Sequence, residues 1–153
     1  MTLDGVDETD AAILAALQSN GRAELLAVAD ATDIPGTTVR DRLKAMEERG
    51  VVEGYTARVD YDRAGYGTTA VFRLQVPDDS LDAVVGRLRE RERFRTVYEL
   101  TGAWNVLAVG TFGSVAELET YSKQLVTDAD VTAVNADVVS RTVTAEKQVQ
   151  PPR

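Results

Sequence analysis

The 153-residue sequence predicts an α+β chain in two parts: three helices with an extended wing, then a β-α-β-β-α-β arrangement. Apolar residues recur at helical spacing through the first fifty positions, and the period changes to two after Gly50. From residue 68 onward strand-like and helix-like segments alternate, and residues 61–67, with Gly65 and Gly67, are the expected hinge between the parts. The composition is that of an ordinary globular protein, 44% hydrophobic and 27% charged, and no apolar run approaches the length of a membrane span.

In the first part Asp7 is placed to cap a helix along which Ile13, Leu14 and Leu17 line one side, up to a break at Asn20-Gly21. Residues 24–31 form a second, short helix with Leu25, Val28 and Ala29 on one side. Thr32-Asp33-Ile34-Pro35-Gly36 is a turn, and Pro35 suits the first turn of the next helix, where its missing N–H costs nothing. That third helix runs to about Arg49 and is stopped by Gly50; Val39, Leu43 and Met46 form its buried stripe. Residues 51–60 read as an extended hairpin or wing.

In the second part residues 69–76 (TAVFRLQV) form a strand ended by Pro77. Residues 80–92 are a helix with Leu81, Val84, Val85 and Leu88 inward. Residues 96–100 and 105–112 are strands joined through Thr101-Gly102-Ala103-Trp104, and Ser114 caps a helix carrying Val115, Leu118, Tyr121 and Leu125. Residues 131–143 supply the last strand, which completes the ferredoxin-like order. The expected domains are therefore residues 1–60, a hinge at 61–67, residues 68–147, and a frayed tail at 148–153.

The chain contains neither cysteine nor histidine. Disulfides, thiol nucleophiles, thiolate metal sites and the Ser-His-Asp triad are thereby excluded, and no cofactor, metal or catalytic residue is expected. The opening MTLDGVDETD is acidic where a secretory signal needs positive charge, which points to the cytoplasm. Seventeen basic residues against 25 acidic ones give a net charge of −8, and lysine occurs only at positions 44, 123 and 147. An acidic, lysine-poor surface suits a halophilic cytoplasm holding molar salt, where self-repulsion is screened.

Three short helices, a tight turn before the third and a wing make up the winged helix-turn-helix plan. Opposite the Val39/Leu43/Met46 stripe the third helix carries Thr37, Asp41, Lys44 and Glu48, with Thr38 and Arg40 on its flanks near the end where base contacts are made. Arg40 is suited to guanine, Asp41 to accept from cytosine, and the threonines and Lys44 to phosphates or bases. Arg42 sits nearer the packed side, in a structural or phosphate-binding role. Residues 1–60 hold 12 acids and 6 bases, a balance that repels DNA and fits a plain packing domain with a solvated outer face. Against that, Arg40, Arg42 and Lys44 face only Asp41 within residues 37–46, so positive charge is concentrated where the groove would lie.

The run from Val6 to Asp60 resembles the winged helix-turn-helix of the Lrp/AsnC family of transcriptional regulators. Asp7 and Asp10, Ile13-Leu14, Gly21-Arg22, Ala29, Arg42, and Gly50-Val51-Val52 through Gly54-Tyr55 carry the likeness. It continues through the β-α-β-β-α-β half, and so covers nearly the whole chain. Pro35 departs from it, standing where the family usually has a serine that caps the recognition helix. The resemblance implies a regulator that binds promoter or operator DNA as a homodimer, tetramer or octamer assembled through its C-terminal sheets.

It also implies an amino-acid effector pocket. Thr101-Gly102-Ala103-Trp104-Asn105 matches the family's Gly-x-aromatic-Asp segment, with Gly102 admitting a ligand to the backbone and Trp104 as an apolar wall. Asn105 stands where the family has Asp. Asp130-Val131, followed by Val134-Asn135-Ala136, replaces its Gly-Val and Thr-rich segment, so Asp130 and Asn135 are the expected residues of the pocket's other half. A simple strand-joining turn plugged by Trp104 is the plain alternative. The run Arg87–Arg95 holds five alternating arginines, read as a solvated helix end that pairs with Glu90 and Glu92 rather than an anion cradle. Two other functions compete: a ligand sensor that regulates a protein partner without DNA, and an enzyme resembling the sirohaem decarboxylases. Those enzymes rely on histidine, which is missing here.

Overall fold

The computed structural model describes residues 5–143, which form two compact units dividing between Arg58 and Val59. The expected frayed tail at 148–153 lies outside the described residues.

The first unit holds helices α1 (Glu8–Ser19), α2 (Leu25–Thr32) and α3 (Gly36–Glu48). The Asp7 carboxylate caps α1 by accepting the Asp10 N–H at 2.8 Å. Ile13, Val28, Val39 and Met46 are fully buried between the helices, with Leu14, Leu17, Ile34, Leu43 and Val52 packed against them. Asp33 ends α2 in the left-handed region at φ 56°, a conformation aspartate tolerates better than most residues, and the chain turns there into α3. Pro35 sits at the cap of α3, one position before its expected place in the first turn.

Residues 51–60 form no strand and no ladder: a bend at Val51-Val52 leads into irregular chain, so the expected hairpin is corrected. Other contacts hold the run: the Val51 and Val52 N–H groups donate to the Met46 carbonyl, and the Tyr55 hydroxyl donates to Glu47 at 2.7 Å. Burial and then that carboxylate push the Tyr55 phenol up to about 12.

The second unit comprises β1 (Thr68–Gln75), a short 3-10 turn (Asp78–Ser80), α4 (Leu81–Arg89), β2 (Phe94–Glu99), β3 (Val106–Phe112), α5 (Val115–Val126) and β4 (Ala133–Val138). The sheet order is β2-β3-β1-β4 with every neighbouring pair antiparallel. The last strand is shorter than the expected 131–143: among the described residues it pairs with β1 alone, along which it runs from Gln75–Ala133 to Ala70–Val138. One face of the sheet packs on α4 and α5 through Phe72, Leu74, Val84, Leu88, Val106, Phe112, Leu118 and Leu125. Phe72, Phe94, Phe112 and Tyr121 meet edge to face at its centre. Gly110 is required there, since a Cβ would lie 2.9 Å from the Phe112 ring and 3.1 Å from that of Phe94.

The segment expected as a hinge is a hydrogen-bonded turn. The Tyr66 N–H donates to the Tyr61 carbonyl at 2.7 Å, and Gly65 takes φ 91°. Arg95 lies over the Tyr61 ring at 4.2 Å and Arg93 over that of Tyr66 at 4.9 Å. The arginine run matches expectation in part: Arg87 and Arg89 stand exposed in the last turn of α4, but the ion pairs differ. Its members reach other elements rather than Glu90 and Glu92: Arg87 grips Asp128 and Asp130, Arg91 donates to Gln124, and Arg93 pairs with Glu117 at 2.6 Å. The run is not one helical face, because the chain leaves α4 at Arg89 and enters β2 at Phe94.

Candidate nucleic-acid interface and effector site

Burial of Val39, Leu43 and Met46 fixes which way α3 faces. Thr37, Arg40, Asp41 and Lys44 are exposed on its other side, and Thr38 is half-buried. Each exposed cation has an acid beside it on the same helix: Arg40 Nε lies 3.1 Å from Asp41, and Lys44 Nζ 3.8 Å from Glu48. Such pairs hold weakly in water, which leaves both cations available to another anion.

Arg42 points the other way. It donates to Asp7 at 2.6 Å and lies 3.4 Å from Asp10, while Arg49 approaches Asp10 at 3.7 Å. Asp10 is only 2% exposed, so α3 is held to the start of α1 by two arginines around a buried carboxylate. The Asp10 N–H and then the Arg42 guanidinium keep the Asp7 carboxyl below its ordinary range. Sequence reasoning placed Arg42 near the packed side; it missed Arg49 and the burial of Asp10, for which Asp at the third position of a capped helix was the available signal.

The residues expected at the effector site lie at one end of the second unit's sheet but do not converge. Gly102 adopts φ 108°, which only glycine takes easily, and Trp104 beside it is 37% exposed. Asn105 is buried: its side chain accepts the Val76 N–H at 2.9 Å and donates to the Val76 carbonyl at 2.7 Å. Both halves of the amide are therefore spent on the end of β1. Asp130 is held by Arg87 at 3.0 Å, and Asn135 accepts from Arg73 across the open face of the sheet at 3.1 Å. That face also presents Val71, Leu107, Val109 and Tyr98, which the ladder registers set side by side. Among the described residues no three acidic side chains are gathered where they could hold a metal ion, and no helix is long and apolar enough to cross a membrane.

Residues 6–53 match the winged helix-turn-helix DNA-binding family, and residues 69–149 match the Lrp/AsnC ligand binding domain. The HTH-type transcriptional regulator LrpA of Pyrococcus horikoshii is 34% identical over 104 residues, 68% of this chain and 74% of that one. An uncharacterised HTH-type transcriptional regulator of Pyrococcus abyssi is 23% identical over 95% of this chain and 99% of its own. Among solved structures, the feast or famine regulatory protein from M. tuberculosis, complexed with L-methionine, superposes with a TM-score of 0.84 at 26% identity, covering 96% of this chain and 100% of that one. A transcriptional regulator of Neisseria meningitidis in complex with L-Met has the same fold, with a TM-score of 0.87 at 21% identity over 95% of this chain and 97% of its own.

Proposed function

The chain belongs to the Lrp/AsnC family of transcriptional regulators, and on that premise we propose how its two parts divide the work. It is a helix-turn-helix DNA-binding regulator with a ligand-binding domain. Residues 1–60 bind DNA, 61–67 connect, and 68–147 assemble the oligomer and take the effector. The protein acts in the cytoplasm and is not an enzyme.

Thr37, Thr38, Arg40, Asp41 and Lys44 enter the major groove, while Arg42 fixes the helix that carries them. The observation that carries this reading is the polarity of α3, whose apolar stripe is buried while its cations remain free to leave their weak partners. A second copy covers the open sheet face around Val71, Leu107, Val109 and Tyr98, and the resulting dimer, alone or in a tetramer or octamer, reads a roughly palindromic operator. An amino acid modulates it. The L-methionine in two related structures supports that ligand class. Gly102 and Trp104 contact the effector; Asn105, Asp130 and Asn135 shape its surroundings through their bonds to Val76, Arg87 and Arg73.

Selection of bound duplexes from a random DNA library, in molar KCl with and without pooled amino acids, tests this. An enriched palindromic motif is expected. No enrichment from a folded, oligomeric sample under either condition overturns it.

A further inference from the structure

Beside the start of α3 the surface is apolar where a DNA-facing surface is ordinarily polar. Leu26 is 72% exposed and Leu25 38%, although the sequence alone places Leu25 inward with Val28. Together with Gly36, Thr37 and Arg40 they line an open notch of about 470 Å³. Gly36 contributes no side chain, and a Cβ there would stand 3.9 Å from the nearest Leu26 methyl carbon, so the notch floor is backbone and methyl groups.

In a helix-turn-helix the helix preceding the recognition helix crosses the DNA backbone, and the start of the recognition helix meets the base edges. The notch spans that junction. Its wall continues directly into Thr37 and Arg40, which bind DNA in the reading above. The one apolar group that a base edge presents in the major groove is the thymine C5-methyl, and it lies toward the backbone side of that groove. An aliphatic pocket bordered by an arginine matches this neighbour: methyl groups for the thymine, and a guanidinium for an adjacent guanine or phosphate.

We infer that Leu26, with Leu25 and the Thr37 methyl, is a specificity determinant that recognises a thymine methyl in each operator half-site. This rests on the DNA-binding reading above, which already assigns Thr37 and Arg40 to the interface. It adds a base preference carried by burial of a methyl group rather than by hydrogen bonding. The occupant is DNA and not a protein partner because the notch is continuous with the exposed cations of α3.

The test replaces the thymines of the selected duplex one at a time by deoxyuridine, which deletes the methyl and keeps every hydrogen-bonding group. Removing one buried methyl is expected to weaken wild-type binding about fourfold, and removing the pair in a palindrome about fifteenfold. At that position Leu26→Ser binds thymine and uracil duplexes alike, while Leu26→Met keeps the preference. Leu25→Ser serves as the second variant, and unfolding midpoints establish that each is folded. Wild-type protein indifferent to every substitution, a half-site without thymine, or a preference that survives in Leu26→Ser overturns the inference while leaving DNA binding intact. A wild-type protein that enriches no duplex overturns the DNA reading, and this inference with it.

Discussion

Replacing Asn105 by Asp restores the residue usual in the family, and the structure predicts that it harms this chain. Asn and Asp are nearly isosteric, so packing around the 9% exposed side chain is conserved and the effect isolates hydrogen bonding and charge. The carboxylate still accepts the Val76 N–H, and more strongly than the amide does. It has no proton to donate to the Val76 carbonyl, which then faces a second acceptor where a 2.7 Å bond stood. Leaving a buried acceptor unsatisfied costs about 1–3 kcal/mol, and desolvating the new charge adds to that. A loss of about 2 kcal/mol or more at pH 7 follows, which in a unit of this size lowers the melting temperature by roughly 8–16 °C.

Trp104 is the chain's single tryptophan and stands next to the substitution, so its fluorescence during urea unfolding reports the event locally. The pH dependence separates this mechanism from general damage. Burial and the facing carbonyl raise the folded-state pKa of the introduced carboxyl above its unfolded value of about 3.9. The folded state then binds the proton more tightly, so the variant regains stability as pH falls from 7 toward 4, because the protonated acid again donates to Val76. Stability of Asn105→Asp within about 0.5 kcal/mol of wild type at pH 7, or a deficit that does not shrink on acidification, would refute the reasoning.

Other outcomes follow from the same structure. Gly110→Ala drives a methyl into the Phe112 and Phe94 rings and lowers the urea-derived stability by about 1–3 kcal/mol. Arg42→Ala leaves buried Asp10 with only the 3.7 Å approach of Arg49, so a lower midpoint is expected in chemical denaturation. Arg40→Glu combined with Lys44→Glu abolishes binding to the selected duplex in a mobility-shift assay while the protein stays folded, since both side chains are exposed and each like-charge pair created with Asp41 and Glu48 costs only about 0.2–0.5 kcal/mol. Asp7, Glu117 and Asp128 are all held below their ordinary carboxylate range. For Asp7 and Glu117 a backbone N–H is the chief cause and an arginine the next; for Asp128 the Asp130 N–H and Arg87 outweigh burial. Their contribution is complete above about pH 5 and is lost as pH falls through the lowered values, so an acid titration of the melting temperature should descend below pH 4–5 and flatten in Asp7→Asn.

What the sequence made legible was local. Asp7 and Ser114 cap their helices as read, since a cap is decided within three residues. The change of period after Gly50 and the strand–helix alternation also need only a short window. The arginine run failed the same method because its partners are remote: Asp128 lies 41 residues from Arg87 and Glu117 lies 24 from Arg93. The hairpin reading of residues 51–60 failed because a strand needs a partner, and the period of a segment does not name one. Asn105 was visible as a departure from the family pattern, but its part in closing the end of β1 depends on Val76, 29 residues away, whose backbone has no sequence signature. Leu25, expected inward and found exposed, was misplaced for the opposite reason. An apolar residue in an amphipathic helix reads as core until the packing geometry turns it outward.

The acidic composition sets the last constraint. DNA-binding proteins ordinarily gain affinity by releasing counterions, and the observed constant falls with salt at a slope of about −0.9 for each phosphate neutralised. The exposed cations on the outer face of α3 are Arg40 and Lys44, and a dimer doubles them, which gives a slope near −4 from these groups. Each also has an acid beside it, Asp41 or Glu48, that loses its partner when the cation turns to a phosphate. An acid left facing DNA takes up a salt cation, which offsets part of the release. The slope should therefore be shallower than about −4, and affinity should persist into molar KCl, where a lysine-rich interface would have dissociated. Asp41→Asn and Glu48→Gln together remove the cation uptake and should steepen the slope toward −4. A wild-type slope of about −6 or steeper, measured by fluorescence anisotropy across a KCl series, would mean that phosphate contacts beyond α3 dominate. A double variant with an unchanged slope would mean that the two acids play no part in binding.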